Sequence, residues 1–90
     1  TLNYNNSTYG ATFYVTLTNT STYEQSYFEI YGFGSGVLGN IPAGNYDIEI
    51  NNYSSGYYFF SVGCGYDQSG SYAYFYNIPL YPGCSTISIN

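Results

Sequence analysis

Apolar and polar residues alternate along several short stretches of this chain, which is the pattern of half-buried β-strands. In residues 11–18, Phe13, Val15 and Leu17 alternate with threonines. Residues 46–50 place three apolar side chains on one face and two carboxylates on the other. The remaining strand-like stretches alternate less cleanly or are apolar on both faces: 27–33, 57–62, 72–78 and 85–90.

Clusters of Gly, Pro, Asn and Ser separate these stretches at intervals of roughly ten residues, as turns do in antiparallel β-proteins. Helix-favouring residues are scarce, because Lys, Arg and Met are absent. We therefore predict an all-β fold: one antiparallel β-sandwich of about seven strands. Residues 1–10 are polar and Asn-rich, so we expect a tail there, ahead of a head domain over residues 11–90.

The chain contains no lysine, arginine or histidine, although average usage would give about ten Lys and Arg residues in 90. All of the formal charge of −5 comes from five carboxylates. Free carboxyl groups have reference pKa values near 4, so the side chains carry almost no charge in strong acid. This composition predicts a protein that works in an acidic medium outside a cell, and it excludes nucleic acid as a partner because phosphate binding relies on cationic side chains.

The same absence removes the usual catalytic bases and phosphate-binding groups, and we expect neither an enzyme nor a cofactor. Asp47 and Glu49 lie on one strand face about 7 Å apart by strand geometry, and this is the only carboxylate pair that resembles a glycosidase arrangement. A solvated strand face is the more ordinary interpretation of that pair. No loop offers the dense oxygen ligands of a calcium site, and a closed zinc site needs more ligands than two cysteines.

Cys64 and Cys84 are the only cysteines, and both adjoin glycine. An even number in a short chain favours one disulfide and an oxidising, extracellular compartment, with two buried free thiols as the alternative. The apolar runs are far shorter than the ~20 residues of a membrane-spanning helix. Because the chain has neither a signal-like segment nor a methionine, we expect a mature extracellular chain whose targeting segment has been removed.

Four Asn-x-Ser/Thr motifs make N-linked glycans candidate covalent partners. Each motif falls in a predicted tail or turn, where an acceptor amide is accessible, and the two at the N-terminus are adjacent and compete. Such glycans would hydrate a surface that has little charge. The candidate acceptors are Asn5, Asn6, Asn19 and Asn52.

Fifteen tyrosines and six phenylalanines are more than a domain of 90 residues can bury. Many of them must therefore be exposed or lie at contacts between proteins. Because a continuous aromatic surface promotes association, we expect an assembled state rather than an isolated monomer.

Residues 39–50, with the sequence GNIPAGNYDIEI, followed by Gly56-Tyr57, resemble a segment of prealbumin-like and collagen-adhesin B-type β-sandwich modules. The resemblance implies that the predicted seven-stranded antiparallel β-sandwich is Ig-like or prealbumin-like. It also implies that Pro-Ala-Gly makes the turn and that Tyr46 enters the core at the start of the next strand. Such modules often carry a Lys–Asn isopeptide bond, which a chain without lysine cannot form. The resemblance then leaves the stapling role to the pair Cys64 and Cys84.

The whole chain is similar in character to the subunits of glycosylated archaeal surface filaments, the "threads" of thermoacidophiles. The similarity lies in the missing basic residues, the Tyr/Ser/Thr/Asn-rich composition, the dense sequons and the polar N-terminal segment. It implies an extracellular, helical homopolymer in which the N-terminal strand of one identical subunit completes the sheet of the next. The donated segment would be residues 1–10 or extend to 18, and its expected anchors are Leu2, Tyr4, Phe13, Val15 and Leu17.

Two other functions remain open at this point. Exposed tyrosines are stacking platforms in carbohydrate-binding modules, which would be soluble monomers. A Tyr/Gly/Ser-rich chain can also form a functional amyloid, which would give a meridional reflection at about 4.7 Å.

The composition predicts unusual stability in acid. An ordinary domain gains uncompensated positive charge as the pH falls and repels itself apart, whereas this chain has no basic side chain to do so. We expect similar thermal midpoints at about pH 2 and about pH 7, measured by circular dichroism. A steep loss of stability at the lower pH would contradict the assignment to an acidic medium.

Overall fold

A computed structural model describes residues 1–53 and 56–90 as nine β-strands in two packed sheets. One sheet has five strands in the order β4-β1-β9-β6-β7, and we call it sheet A; the other has four in the order β3-β2-β5-β8, and we call it sheet B. The strands are β1 (Leu2–Asn6), β2 (Thr12–Asn19), β3 (Gln25–Tyr31), β4 (Gly34–Gly39), β5 (Gly44–Asn51), β6 (Tyr58–Val62), β7 (Tyr66–Gly70), β8 (Ala73–Leu80) and β9 (Thr86–Ile89).

The all-β prediction and the two-sheet architecture are confirmed, but the strand count of about seven was too low. β4 and β7 lie where the sequence predicted only turns, at residues 32–36 and 63–71. Both are edge strands of sheet A and bury little on either face, so neither shows the apolar–polar alternation that identifies a half-buried strand. β1 was not predicted as a strand of the head, because its sequence is mostly Asn and Tyr and shows no clear apolar–polar alternation.

The core lies between the sheets and consists of the inward-facing residues of both. β2 and β5 supply it most regularly, as their alternation predicted. The ring of Phe13 from sheet B meets the edge of Phe60 from sheet A, with centroids 5.9 Å apart and planes at 84°. The fully or almost fully buried apolar side chains are Leu2, Ala11, Phe13, Val15, Leu17, Ile30, Tyr46, Ile48, Ile50, Phe60, Val62, Ala73, Phe75, Ile78, Leu80, Ile87 and Ile89.

The turn before β5 anchors that strand in the core. Tyr46 is buried in β5, and its hydroxyl donates to the carbonyl oxygen of Pro42, 2.5 Å away. The bond satisfies the one polar atom of a large buried ring. β5 then pairs with β2 on one side and with β8 on the other.

A disulfide joins Cys64 to Cys84, with Cα atoms 5.0 Å apart. Cys64 lies in the turn between β6 and β7, and Cys84 lies in the turn between β8 and β9. The bridge therefore links the β6–β7 hairpin of sheet A to the connection between β8 of sheet B and β9 of sheet A. The predicted pairing is confirmed.

Removing this bridge should lower the free energy of unfolding without abolishing the fold. Closing a loop of this length, with a sequence separation of 20, restricts the unfolded chain by about 3 kcal/mol. We expect the double variant Cys64→Ser/Cys84→Ser to lose stability of that order in urea denaturation. An unchanged midpoint and slope would mean that the bridge does not constrain the unfolded state.

Candidate assembly site at the N-terminal strand

The N-terminal strand occupies an interior position in sheet A. β1 pairs antiparallel with β4 and parallel with β9, so hydrogen-bonding partners flank it on both sides. Leu2 is fully buried and Asn6 is 1% exposed, while Tyr4 packs against the edge of the core between them. The segment expected to be a tail is thus a central strand of its own chain's sheet.

The expected donor anchors divide between the two sheets. Leu2 and Tyr4 face the core from β1. Phe13, Val15 and Leu17 face it from β2, in the middle of sheet B, where β3 and β5 flank them. Residues 2–6 and 12–19 are therefore separate elements, and within this chain the groove of sheet A contains only the first of them.

The glycines of β4 make room for aromatic rings. A Cβ atom on Gly36 would lie 3.1 Å from Cε1 of Tyr4, its partner across the strand pair, and one on Gly39 would lie 2.9 Å from Cε1 of Phe28. Sequence reasoning treated this glycine-rich stretch as a break. Here the missing side chains let β4 lie close against both rings.

Asn6 closes the end of β1 through a network of hydrogen bonds. Its Nδ2 donates to the carbonyl oxygen of Gly32, 2.7 Å away. Its Oδ1 accepts from the backbone amide of Thr8 at 3.0 Å and from the hydroxyl of Thr8 at 2.7 Å. A buried polar side chain is tolerable when its donors and acceptors are paired in this way. No periodicity in the sequence pointed to this role.

Residues 7–11 carry the chain from sheet A to sheet B at one end of the sandwich. The ring of Tyr9 stacks on Phe33, with centroids 4.8 Å apart and planes only 2° from parallel. Gly10 follows with a φ of +73°, in the left-handed region. Ala11 is then buried against the core at the start of sheet B.

The four predicted glycan acceptors differ in accessibility. Asn5 is exposed on the outer face of sheet A, whereas its neighbour Asn6 is buried and uses its amide nitrogen. Asn19 is half-buried at the end of β2, and its Oδ1 accepts from the amides of Ser21 and Thr22 in the turn that follows. The Nδ2 atom of Asn52 is shielded from solvent. Ser54, the hydroxyl residue of that last motif, is outside the described residues.

One row of the outer face of sheet A carries small polar side chains. Cross-strand pairing places Ser35, Asn5, Ser88, Ser61 and Asp67 in this row across all five strands. Asn5 is flanked there by two serines. A glycan on Asn5 would therefore have hydroxyl groups as its nearest neighbours on this face.

The outer face of sheet B carries aromatic rings and carboxylates instead. One row across its four strands consists of Tyr27, Thr16, Glu49 and Tyr74. Partial desolvation raises the pKa of Tyr74, and nearby Tyr76 and the carboxylates of β5 raise it further. As the composition required, thirteen of the 21 aromatic side chains are exposed: Tyr9, Tyr23, Tyr27, Tyr31, Phe33, Tyr53, Tyr57, Phe59, Tyr66, Tyr72, Tyr74, Tyr76 and Tyr81.

The carboxylate pair considered for catalysis includes a structural residue. Oδ1 of Asp47 accepts from the backbone amide of Asn77 at 2.9 Å. Asn77 has a φ of +54° and lies where the pairing of β5 with β8 shifts register. Asp47 thus satisfies a backbone amide that the irregular ladder leaves without a strand partner.

The adjacent sequons give a matched pair of variants. Because a glycan on Nδ2 of Asn6 would break its bond to Gly32 and cannot fit a buried site, we expect N-glycans on Asn5 and not on Asn6. In a host that N-glycosylates the protein, Asn5→Gln should remove the glycan with little effect on stability. Asn6→Gln should keep it and cost about 1–3 kcal/mol, because buried polar groups lose their partners.

Peptide mass spectrometry locates the glycan, and urea denaturation measures the stability of both variants. A glycan found on Asn6 of folded protein would contradict this assignment.

Comparisons with known proteins do not place this chain in a family. No family model matches it, and neither a curated protein nor a solved structure does. Over residues 1–53 and 56–90, no helix is long and apolar enough to cross a membrane, and no three His, Cys, Asp or Glu residues cluster as metal ligands would.

Proposed function

We propose that this protein is a structural subunit of an extracellular, glycosylated surface filament, in which subunits join by donating β1 to a neighbour. The observation that carries the proposal is the place of β1: a strand at the start of the described chain fills the interior of sheet A, with β4 and β9 on either side. The connection through residues 7–11 joins β1 in sheet A to β2 in sheet B. Exchange of β1 between two copies would leave the order of the other strands unchanged.

Vacating this position would be unfavourable unless another strand filled it. Loss of β1 would expose the apolar side chains of β9 and the pocket of Leu2, together with unpaired backbone groups on β4 and β9. Unpaired edges of this kind recruit a strand from another chain. The β1 of a second copy is identical in sequence and meets every requirement of the groove.

Other routes for pairing between copies are partly obstructed at the sheet edges. Two-residue connections join β3 to β4 and β7 to β8. At each side of the sandwich, the edge strand of one sheet is therefore linked to the edge strand of the other. On the free edge of β8, the side chain of Gln68 bonds both backbone groups of Tyr74, at 2.5 Å to the oxygen and 3.0 Å from the nitrogen. Exchange of an interior strand avoids these protected edges.

The groove has no carboxylate. β1, β4 and β9 contain no Asp or Glu, while all five carboxylates lie in β3, β5, β7 or the turn before β3. Strand donation would therefore depend on backbone pairing and apolar burial, neither of which changes as carboxylates protonate. The disulfide and the surface without basic residues agree with an acidic extracellular setting, such as that of the thermoacidophile threads.

A carbohydrate-binding module is the second candidate. The aromatic outer face of sheet B supports it, because exposed tyrosine rings beside carboxylates and hydroxyls suit the faces and hydroxyls of sugars. This alternative predicts a soluble monomer that binds glycans. A functional amyloid is the third, and the two-sheet core with its cross-linking disulfide speaks against it.

A cysteine pair on β1 and β9 tests strand donation directly. Asn3 and Thr86 are partners in the parallel β1–β9 pairing, and both side chains lie on the outer face of sheet A. We expect the variant Asn3→Cys/Thr86→Cys, treated as native filaments with a short bismaleimide, to give a ladder of covalent oligomers on a denaturing gel. The ladder arises because β1 of one subunit lies beside β9 of the next.

The matched control is Asn3→Cys/Asp67→Cys, since β7 is separated from β1 by two strands in the same sheet. It should give no ladder. Filaments in which the first pair links only within single chains would contradict donation of β1, and a protein that forms no filaments but binds glycans would favour the second candidate.

A further inference from the structure

A donated β1 that pairs with β4 and β9 of its neighbour in the same orientation as within this chain would keep almost every contact of β1. The pairing with β4 and β9, the pocket of Leu2 and the bond from Asn6 to Gly32 would all form with the acceptor subunit instead of the same chain. These contacts contribute equally to the closed chain and to the polymer. The balance between the two states must therefore be decided where their structures differ, in the connection between β1 and β2.

Most residues of that connection contact either the head that holds the groove or the core of the donor subunit. Thr8 bonds Asn6, and Tyr9 stacks on Phe33, which belongs to the head that holds the groove. The chain up to Tyr9 can therefore keep its path on the acceptor. Ala11 is buried in the donor's own core. Gly10 is the single residue between these two fixed points.

The left-handed backbone conformation of Gly10 fits only the closed chain, in which β1 fills the groove of its own subunit. Its φ of +73° lies in the left-handed region, and apart from its two chain neighbours no heavy atom of residues 1–53 and 56–90 lies within 4 Å of the position a Cβ would occupy. The residue is thus required for its left-handed conformation and not for space. L-residues other than glycine disfavour that conformation, whereas they adopt an extended backbone freely.

We infer that Gly10 is the hinge that sets the balance between a self-complemented monomer and a strand-donated polymer. The inference rests on the proposed function, because it requires that β1 is the donated strand. In the closed chain the hinge is left-handed; in the polymer it is extended, so that β1 points away from its own head. Glycine permits both states, whereas alanine disfavours the left-handed conformation of the closed one.

The chain supplies a close control for this hinge. Gly32 has a φ of +77° and equally open space around its absent Cβ, and it lies near the same end of the sandwich. It connects β3 to β4 inside the head, and its carbonyl oxygen accepts from Asn6 of whichever β1 fills the groove. Its conformation and this bond are therefore the same in monomer and polymer. Gly10→Ala and Gly32→Ala therefore introduce the same backbone strain, but only the first acts on the hinge.

The experiment compares the two alanine variants with the parent in the Asn3→Cys/Thr86→Cys background. Each purified full-length protein, with its native disulfide intact, is incubated as monomer to equilibrium and then treated with bismaleimide. The ratio of intermolecular to intramolecular cross-links is read from a denaturing gel. We expect Gly10→Ala to raise this ratio roughly ten-fold, the effect of a left-handed alanine, and Gly32→Ala to leave it within about two-fold.

Each outcome has a distinct meaning. Equal ratios for the two variants, with intermolecular links present in the parent, would overturn the hinge and leave strand donation standing. Intramolecular links alone in all three proteins would overturn strand donation itself, and the hinge with it. Urea denaturation of the cross-linked monomers checks that both alanine variants are folded and similarly destabilised.

Discussion

Sheet A depends on β1, the strand that joins the edge strand β4 to the rest of the sheet. β1 lies between β4 and β9, so the backbone ladder, the burial of Leu2 and the attachment of the edge strand β4 all require it. β4 has no other partner in sheet A, and it would detach if β1 left. Sheet A is therefore complete only when a copy of β1 lies between β4 and β9.

The two faces of the sandwich then divide the surface into different chemistries. Sheet A presents hydroxyl and amide side chains around Asn5, while sheet B presents tyrosines and carboxylates. A surface without cations has few means of staying hydrated, and small polar groups serve that purpose on sheet A. The phenol hydroxyls serve it on sheet B, where each ring combines an apolar body with a polar tip. The exposed aromatic residues therefore do not require a single continuous interface.

The sequence predicted the parts of the fold in which burial is one-sided. β2 and β5 alternate cleanly because sheet B buries one face of each, and both were placed correctly to within a few residues. β4 and β7 were invisible because edge strands of glycine and polar residues carry no such periodicity. Asn6 was predicted as a glycan acceptor because the motif is local, whereas its bond to Gly32 joins residues 26 positions apart. Long-range pairing of this kind leaves no signal in a single sequence.

The missing basic residues and the interior N-terminal strand are consistent with one another in physical terms. A protein that assembles through ion pairs needs cations on one partner, and an identical copy of this chain has none in its side chains to offer. Backbone pairing needs none, and β1, β4 and β9 have no carboxylate whose charge would change with pH. Apolar burial of Leu2 in the core is likewise indifferent to protonation. Exchange of β1 is thus a mode of self-association that this composition permits in acid and at neutral pH alike, since no carboxylate lies in the strands that would form the joint.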